Sequence, residues 1–118
     1  MTDETTTIQE KETNLLFPVF LKLEQLRLLI IGGGNVGTEK LNAVLSNAPA
    51  TNITLVATQL SDAVRAIGDR HENILLIEEP YSEHHLSNID IVIVAADDPS
   101  LGKQVKADAR KRGLLVNV

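Results

Sequence analysis

A chain of 118 residues, 43% hydrophobic and 23% charged, has the length and composition of one compact domain rather than two. It contains no cysteine, which excludes disulfide frameworks, thiolate zinc sites, iron–sulfur clusters and cysteine nucleophiles. Eleven basic against sixteen acidic side chains leave a net charge of −5, which argues against non-specific nucleic-acid binding as the main task.

Residues 1–14 carry −3 of that charge and one large apolar side chain besides the initiator, Ile8, so they read as a disordered acidic tail. A secretory signal would be basic and then apolar, and no apolar run has the length of a membrane span. A soluble, cytoplasmic protein without membrane contact is expected. Residues 15–118 read as one domain. Within it, 18–23 form a short extended arm, Glu24 and Gln25 a polar break, and 26–31 (LRLLII) a buried first strand. The glycines at 32–34 make a turn into a helix on which Val36, Lys40 with Leu41, Val44 with Leu45, and Ala48 fall at helical spacing, and Pro49 ends it. A second strand at 53–57 is followed by a second helix. There Leu60, Ala63, Val64 and Ile67 recur at i, i+3, i+4 and i+7, with Ser61 or Gln59 near its start and Gly68 near its end. Residues 74–77 make a third strand and 81–86 a short helix. The fourth strand, 89–96, is so continuously apolar that it needs cover on both faces. Pro99 or Ser100 opens a third long helix that runs to about Arg112, Gly113 stops it, and 114–118 form a last strand. This alternation predicts an α/β fold of Rossmann-like type: an open, mainly parallel sheet with helices on both faces.

The sharpest chemical signal is Gly32-Gly33-Gly34-Asn35-Val36-Gly37, a G-x-G-x-x-G placed after a predicted strand and opening a predicted helix. Gly32 permits the tight turn, Gly34 lets backbone approach a pyrophosphate, and Gly37 permits close packing of helix on strand. The unpaired amides and positive dipole end of the helix would hold the phosphates. No Gly-Lys-Ser or Gly-Lys-Thr follows, so this is not a kinase-type P-loop. Dinucleotide sites often place an acid after the second strand for the adenosine ribose; here Thr58 and Gln59 stand there, and no adjacent arginine awaits a 2′-phosphate. NAD is therefore favoured over NADP. Asp97 and Asp98 fall at the sheet edge where ligands of such folds bind, although helix capping is the simpler role for an acid before Pro-Ser. His84 and His85 lack the i, i+4 spacing of helical metal ligands and have no evident third partner, so surface histidines are expected and no metal site is assigned. Lys103, Lys106 and Arg110 recur at i, i+3 and i+7, a solvated face or a grip for an acidic ligand.

Four segments together resemble the NAD-binding amino-terminal module of siroheme synthases, the precorrin-2 dehydrogenase family: FPVFLKL at 17–23, IIGGGNVGTEK at 30–40, IVIVAADDP at 91–99 and ARKRGLLVNV at 109–118. The resemblance implies NAD⁺-dependent oxidation of the tetrapyrrole precorrin-2 to sirohydrochlorin, with iron insertion in some members and homodimers in the full-length family. It implies that Gly32, Gly34, Asn35, Val36 and Gly37 meet the pyrophosphate, that Thr58 and Gln59 lie near the adenosine, and that Asp97 borders the nicotinamide. The family's proposed catalytic aspartate follows the Val-Asn-Val ending, beyond Val118, so no catalytic residue is assigned and the chain reads as a piece of a longer enzyme. The competing expectation is a non-catalytic nucleotide-sensing module of the kind attached to ion transporters. Such modules usually carry the acid after the second strand that is missing here, and they lack the arm.

Overall fold

The computed structural model describes residues 16–118, so the acidic tail expected at 1–14 lies outside the described residues. Five strands form a single sheet: β1 (Arg27–Ile31), β2 (Asn52–Ala57), β3 (Ile74–Glu78), β4 (Ile91–Val94) and β5 (Leu115–Asn117). Their spatial order is β3-β2-β1-β4-β5, and every neighbouring pair is parallel. Three helices join them: α1 (Asn35–Asn47), α2 (Asp62–Asp69) and α3 (Pro99–Lys111).

Side-chain alternation along the strands divides the core in two. On one face Leu28, Ile30, Ile53 and Leu55 pack against Leu41 and Val44 of α1 and Val64 and Ile67 of α2. On the other, Leu29, Ile31, Val92 and Val94 pack against Val105 and Ala109 of α3. The three consecutive residues Leu28, Leu29 and Ile30 are fully buried, which only a strand covered on both sides allows. Each such side chain contributes roughly 1.5–3 kcal/mol on leaving water. Cover fails over β3 on the second face, where Leu75 stays 59% exposed.

The helix ends follow the sequence signals. Ser61 caps α2 by accepting from the Val64 amide at 3.2 Å. Asp98 caps α3, accepting from Ser100 and Leu101 amides at 3.1 and 3.2 Å, with Pro99 in the first turn. Gly113, at φ 68°, ends α3 in a Schellman arrangement in which the Gly113 and Leu114 amides reach the Arg110 and Ala109 carbonyls.

Three expectations need adjusting. The short helix of 81–86 is one 3-10 turn, Glu83–Leu86, because His85 closes it by accepting the Ser82 amide and no further residues continue the ladder. The break at Glu24 and Gln25 belongs to another 3-10 turn, Leu23–Gln25, while the arm before it has no regular structure and leaves Phe17 and Phe20 exposed. The fourth strand, 91–94, is shorter than 89–96: the Ile89 amide closes a turn onto the Leu86 carbonyl at 3.3 Å instead of joining the ladder.

Asp90, which interrupts that apolar run, ties β4 to β1. It accepts from the Arg27 amide at 2.8 Å and from two guanidinium nitrogens at 3.0 Å, while its own amide donates to the Arg27 carbonyl. These donors, the guanidinium first, hold the Asp90 carboxyl at about 2, below its ordinary 3.8. A carboxyl depressed in the folded state stabilises above its unfolded pKa, and that contribution disappears as pH falls through the folded value. Asp90→Asn is therefore expected to lower stability at pH 7 modestly and to flatten its decline between about pH 4 and 2. Urea denaturation of both chains across that range checks this, and parallel declines would show that the clamp does not govern the acid limb.

Candidate functional site

The strand order places β1 centrally, with the next connection leaving on one face and α3 packed on the other. A crevice opens at the carboxyl ends of β1 and β4, where this class of sheet binds ligands. A cleft of about 620 Å³ occupies it, lined by the glycine turn, the 57–61 loop after β2, Tyr81, and the Ala95–Asp98 edge.

The turn is built by mutual close approach. Gly32 has φ 130°, and a Cβ there would stand 2.5 Å from the Ala95 carbonyl oxygen. A Cβ on Gly37 would stand 2.2 Å from the Gly32 carbonyl oxygen, so α1 starts pressed against the end of β1. Gly33 is equally confined, since its Cβ would come 2.4 Å from the Gln59 carbonyl oxygen, and its own carbonyl accepts from the Ser61 amide. Gly34 differs: nothing lies within 4 Å of the position of its Cβ. It is exposed and lines the cleft.

This geometry leaves backbone donors unspent. Among the described residues, the amides of Gly33, Gly34, Asn35, Val36 and Gly37 donate to no protein acceptor, and the first turn of α1 contains no acid. The Gly32 amide is committed to the Val56 carbonyl at 2.9 Å, so Gly32 shapes the bend rather than supplying a donor. Unsatisfied donors at an uncompensated positive helix end suit an anion. The residues thus fit the diphosphate of a dinucleotide, with Val36, 44% exposed, as an apolar wall.

The cleft gathers Gly32, Gly34, Asn35, Val36, Thr58, Gln59 and Asp97 of the candidates read from the sequence. Gly37 lies just behind, in the helix–strand contact. Sequence reading missed Gly33, whose requirement comes from the loop after β2, and Tyr81, whose approach depends on the β3–β4 connection. The Tyr81 hydroxyl donates to Asp108 at 2.8 Å; burial first, then that carboxylate, push it well above the ordinary phenol range, so it stays protonated.

The histidine pair behaves differently from expectation. His84 is exposed but His85 is buried, and Glu79 joins them as a third group with metal-ligand chemistry. The Ser82 amide donates to His85 Nδ1 at 3.0 Å, which puts the ring proton on Nε2, where it meets Glu79 at 2.7 Å. A neutral His85 in this arrangement has no lone pair left for a metal. The cluster closes the 3-10 turn. On the same turn, Glu83 lies 3.4 Å from both Lys111 and Arg112 and so fixes it to α3. No described helix is long and apolar enough to cross a membrane.

Comparison with known proteins bears on this cleft. Residues 19–118 match a family described as "Putative NAD(P)-binding". A siroheme synthase of Psychrobacter arcticus is 38% identical over 104 residues, and one of Chromobacterium violaceum is 34% identical over 102. Each alignment takes in 86% of this chain but only 18% and 21% of those proteins, so the chain spans about a fifth of the curated relatives it matches. A solved structure described as SirC, precorrin-2 dehydrogenase, superposes with a TM-score of 0.75 at 27% identity, over 87% of this chain and 50% of that one.

The glycines separate structural from ligand-side roles. Gly37→Ala is expected to cost roughly 1–3 kcal/mol through overpacking, and Gly34→Ala to stay within about 0.5 kcal/mol of the parent, by urea denaturation. Equal losses would contradict the division.

Proposed function

Because the chain belongs to the family of siroheme synthase amino-terminal NAD(P)-binding domains and precorrin-2 dehydrogenases, we propose that it is a cytoplasmic NAD⁺-binding module serving the oxidation of precorrin-2 to sirohydrochlorin. The observation that carries this reading is the row of five unbonded amides at the β1–α1 turn. Gly33, Gly34, Asn35, Val36 and Gly37 would hold the diphosphate, Gly32 would keep the bend that presents them, Thr58 and Gln59 would face the adenosine, and Asp97 the nicotinamide half. When bound, the nicotinamide supplies the hydride acceptor for a two-electron oxidation. The chain's own residues fix position and exclude water. Tyr81, kept protonated by burial and by Asp108, to which it gives its one proton, is a neutral hydroxyl at the cleft wall with lone pairs left to accept.

A tetrapyrrole substrate rich in carboxylates accords with the charge on α3. Lys111 and Arg112 are paired with Glu83, whereas Lys103, Lys106 and Arg110 make no ion pair among the described residues. Lys103 and Lys106 line a smaller groove of about 310 Å³ that shares Ala96, Asp97 and Asp98 with the main cleft. An acidic ligand entering beside Asp97 would find these cations free to pair with it.

Calorimetric titration tests the cofactor reading. The chain is expected to bind NAD⁺ with a dissociation constant below about 1 mM, and Gly34→Asp to weaken binding at least about 100-fold by placing a charged group where the diphosphate belongs. Its melting temperature should stay near the parent's, since that position is open. Absence of binding at millimolar NAD⁺, or undiminished affinity in the variant, would contradict the assignment.

A further inference from the structure

The adenosine end of a dinucleotide bound to this kind of sheet lies beside the carboxyl end of β2, where an acid accepts the ribose hydroxyls of NAD or an arginine takes the 2′-phosphate of NADP. This chain has neither group directly after β2: Ala57 leads into Thr58 and Gln59. The fold supplies both from elsewhere. Glu78 ends β3 and pairs in register with Ala57, which carries its carboxylate to the same sheet edge one strand over. One of its oxygens accepts from the amide of Leu60, a cleft-lining residue, at 3.4 Å. The other lies 2.9 Å from the Arg65 guanidinium, which α2 brings back to this edge four residues after its Ser61 cap. Both side chains are about half exposed, Arg65 at 51% and Glu78 at 45%, so the pair stands at a surface a ligand can reach.

We propose that Glu78 and Arg65 act together as the device that makes this cleft choose NAD over NADP. The inference rests on the reading of the cleft as a dinucleotide site and extends it to two residues outside the glycine motif. Arg65 is the cation a 2′-phosphate would need, and Glu78 already occupies it. A 2′-phosphate approaching the loop after β2 meets a neutralised guanidinium and a nearby carboxylate, a repulsive arrangement for a dianion. A ribose hydroxyl carries no charge to repel and can donate to a carboxylate at that edge. The pair itself contributes little to stability because both partners are solvated. Removing its acid therefore changes recognition more than folding, and glutamine at 78 can still accept from the Leu60 amide.

The test is calorimetric titration of the full chain and of Glu78→Gln, Arg65→Met and the double variant with NAD⁺ and with NADP⁺, with melting temperatures as the folding control. The parent should prefer NAD⁺. Glu78→Gln should shrink that preference about tenfold, chiefly by tightening NADP⁺, because it frees the guanidinium for a charge-assisted contact. Adding Arg65→Met should abolish the gain, and the gain should weaken with rising salt. The proposal is overturned by a parent that prefers NADP⁺, by a ratio that moves less than about twofold in Glu78→Gln, or by a NADP⁺ gain that survives the loss of Arg65. Failure of the parent to bind either dinucleotide would remove the cleft reading and this inference with it. NAD⁺ binding with an unmoved ratio would remove only the role of the pair.

Discussion

Everything in the cleft depends on how closely the start of α1 is pressed onto the end of β1. Two backbones meet there with no room for a side chain on either: the Gly32 carbonyl oxygen fills the place of a Cβ on Gly37, and the Ala95 carbonyl oxygen fills that of a Cβ on Gly32. The chain can pass only through a left-handed conformation at Gly32, which an L-residue with a side chain rarely adopts. Once it has turned, the helix axis points its amino end at the crevice. The next five amides then have no carbonyl to bond, because they open a helix whose preceding residues are strand and turn: the Ile31 carbonyl is taken by the Ala95 amide and that of Gly33 by the Ser61 amide. The row of unbonded donors is thus a by-product of a packing constraint.

Sheet topology decides where that constraint is felt. With β1 between β2 and β4, the connections from its two sides run over opposite faces, and the loops separate at the carboxyl edge instead of covering it. The Arg27–Asp90 clamp holds the amino ends of the same two strands, and the pairing continues to Ile31 and Val94, with the Ala95 amide on the Ile31 carbonyl at 2.7 Å, so the crevice opens just beyond a firmly closed ladder. The flank of α3 facing the 3-10 turn is stitched down by Tyr81–Asp108 and by Glu83 with Lys111 and Arg112, while Lys103, Lys106 and Arg110 keep their charge unspent. One helix serves as both structural wall and polar rim.

Much of this was legible in the sequence because it is local. Short aliphatic runs such as 28–31, bounded by a glycine turn, read as buried strands, and the Ser61, Asp98 and Gly113 caps are read from positions adjacent to the helices they end. The glycine spacing located the cleft, since its physics is contained in six consecutive residues. What could not be read is what distant segments bring together. Gly33 is constrained by the Gln59 carbonyl, Arg65 is neutralised by an acid thirteen positions away, and Glu79 reaches a histidine whose tautomer is fixed by the Ser82 amide. Arg65 reaches the carboxyl edge of the sheet only through the return of α2, so its pairing with Glu78 has no signature in the residues next to Thr58. His85 is buried in a single 3-10 turn, which is too short to leave a periodicity in the sequence.

The central claim is that backbone amides of the β1–α1 turn, rather than side chains, hold a diphosphate. The most direct measurement is amide-resolved NMR of the isotopically labelled chain during titration with NAD⁺. The account predicts that the amide resonances of Gly33, Gly34, Asn35, Val36 and Gly37 shift downfield together and gain protection from exchange, while that of Gly32, already bonded to Val56, moves little. Saturating NAD⁺ with the largest shifts elsewhere and this row unmoved would contradict it.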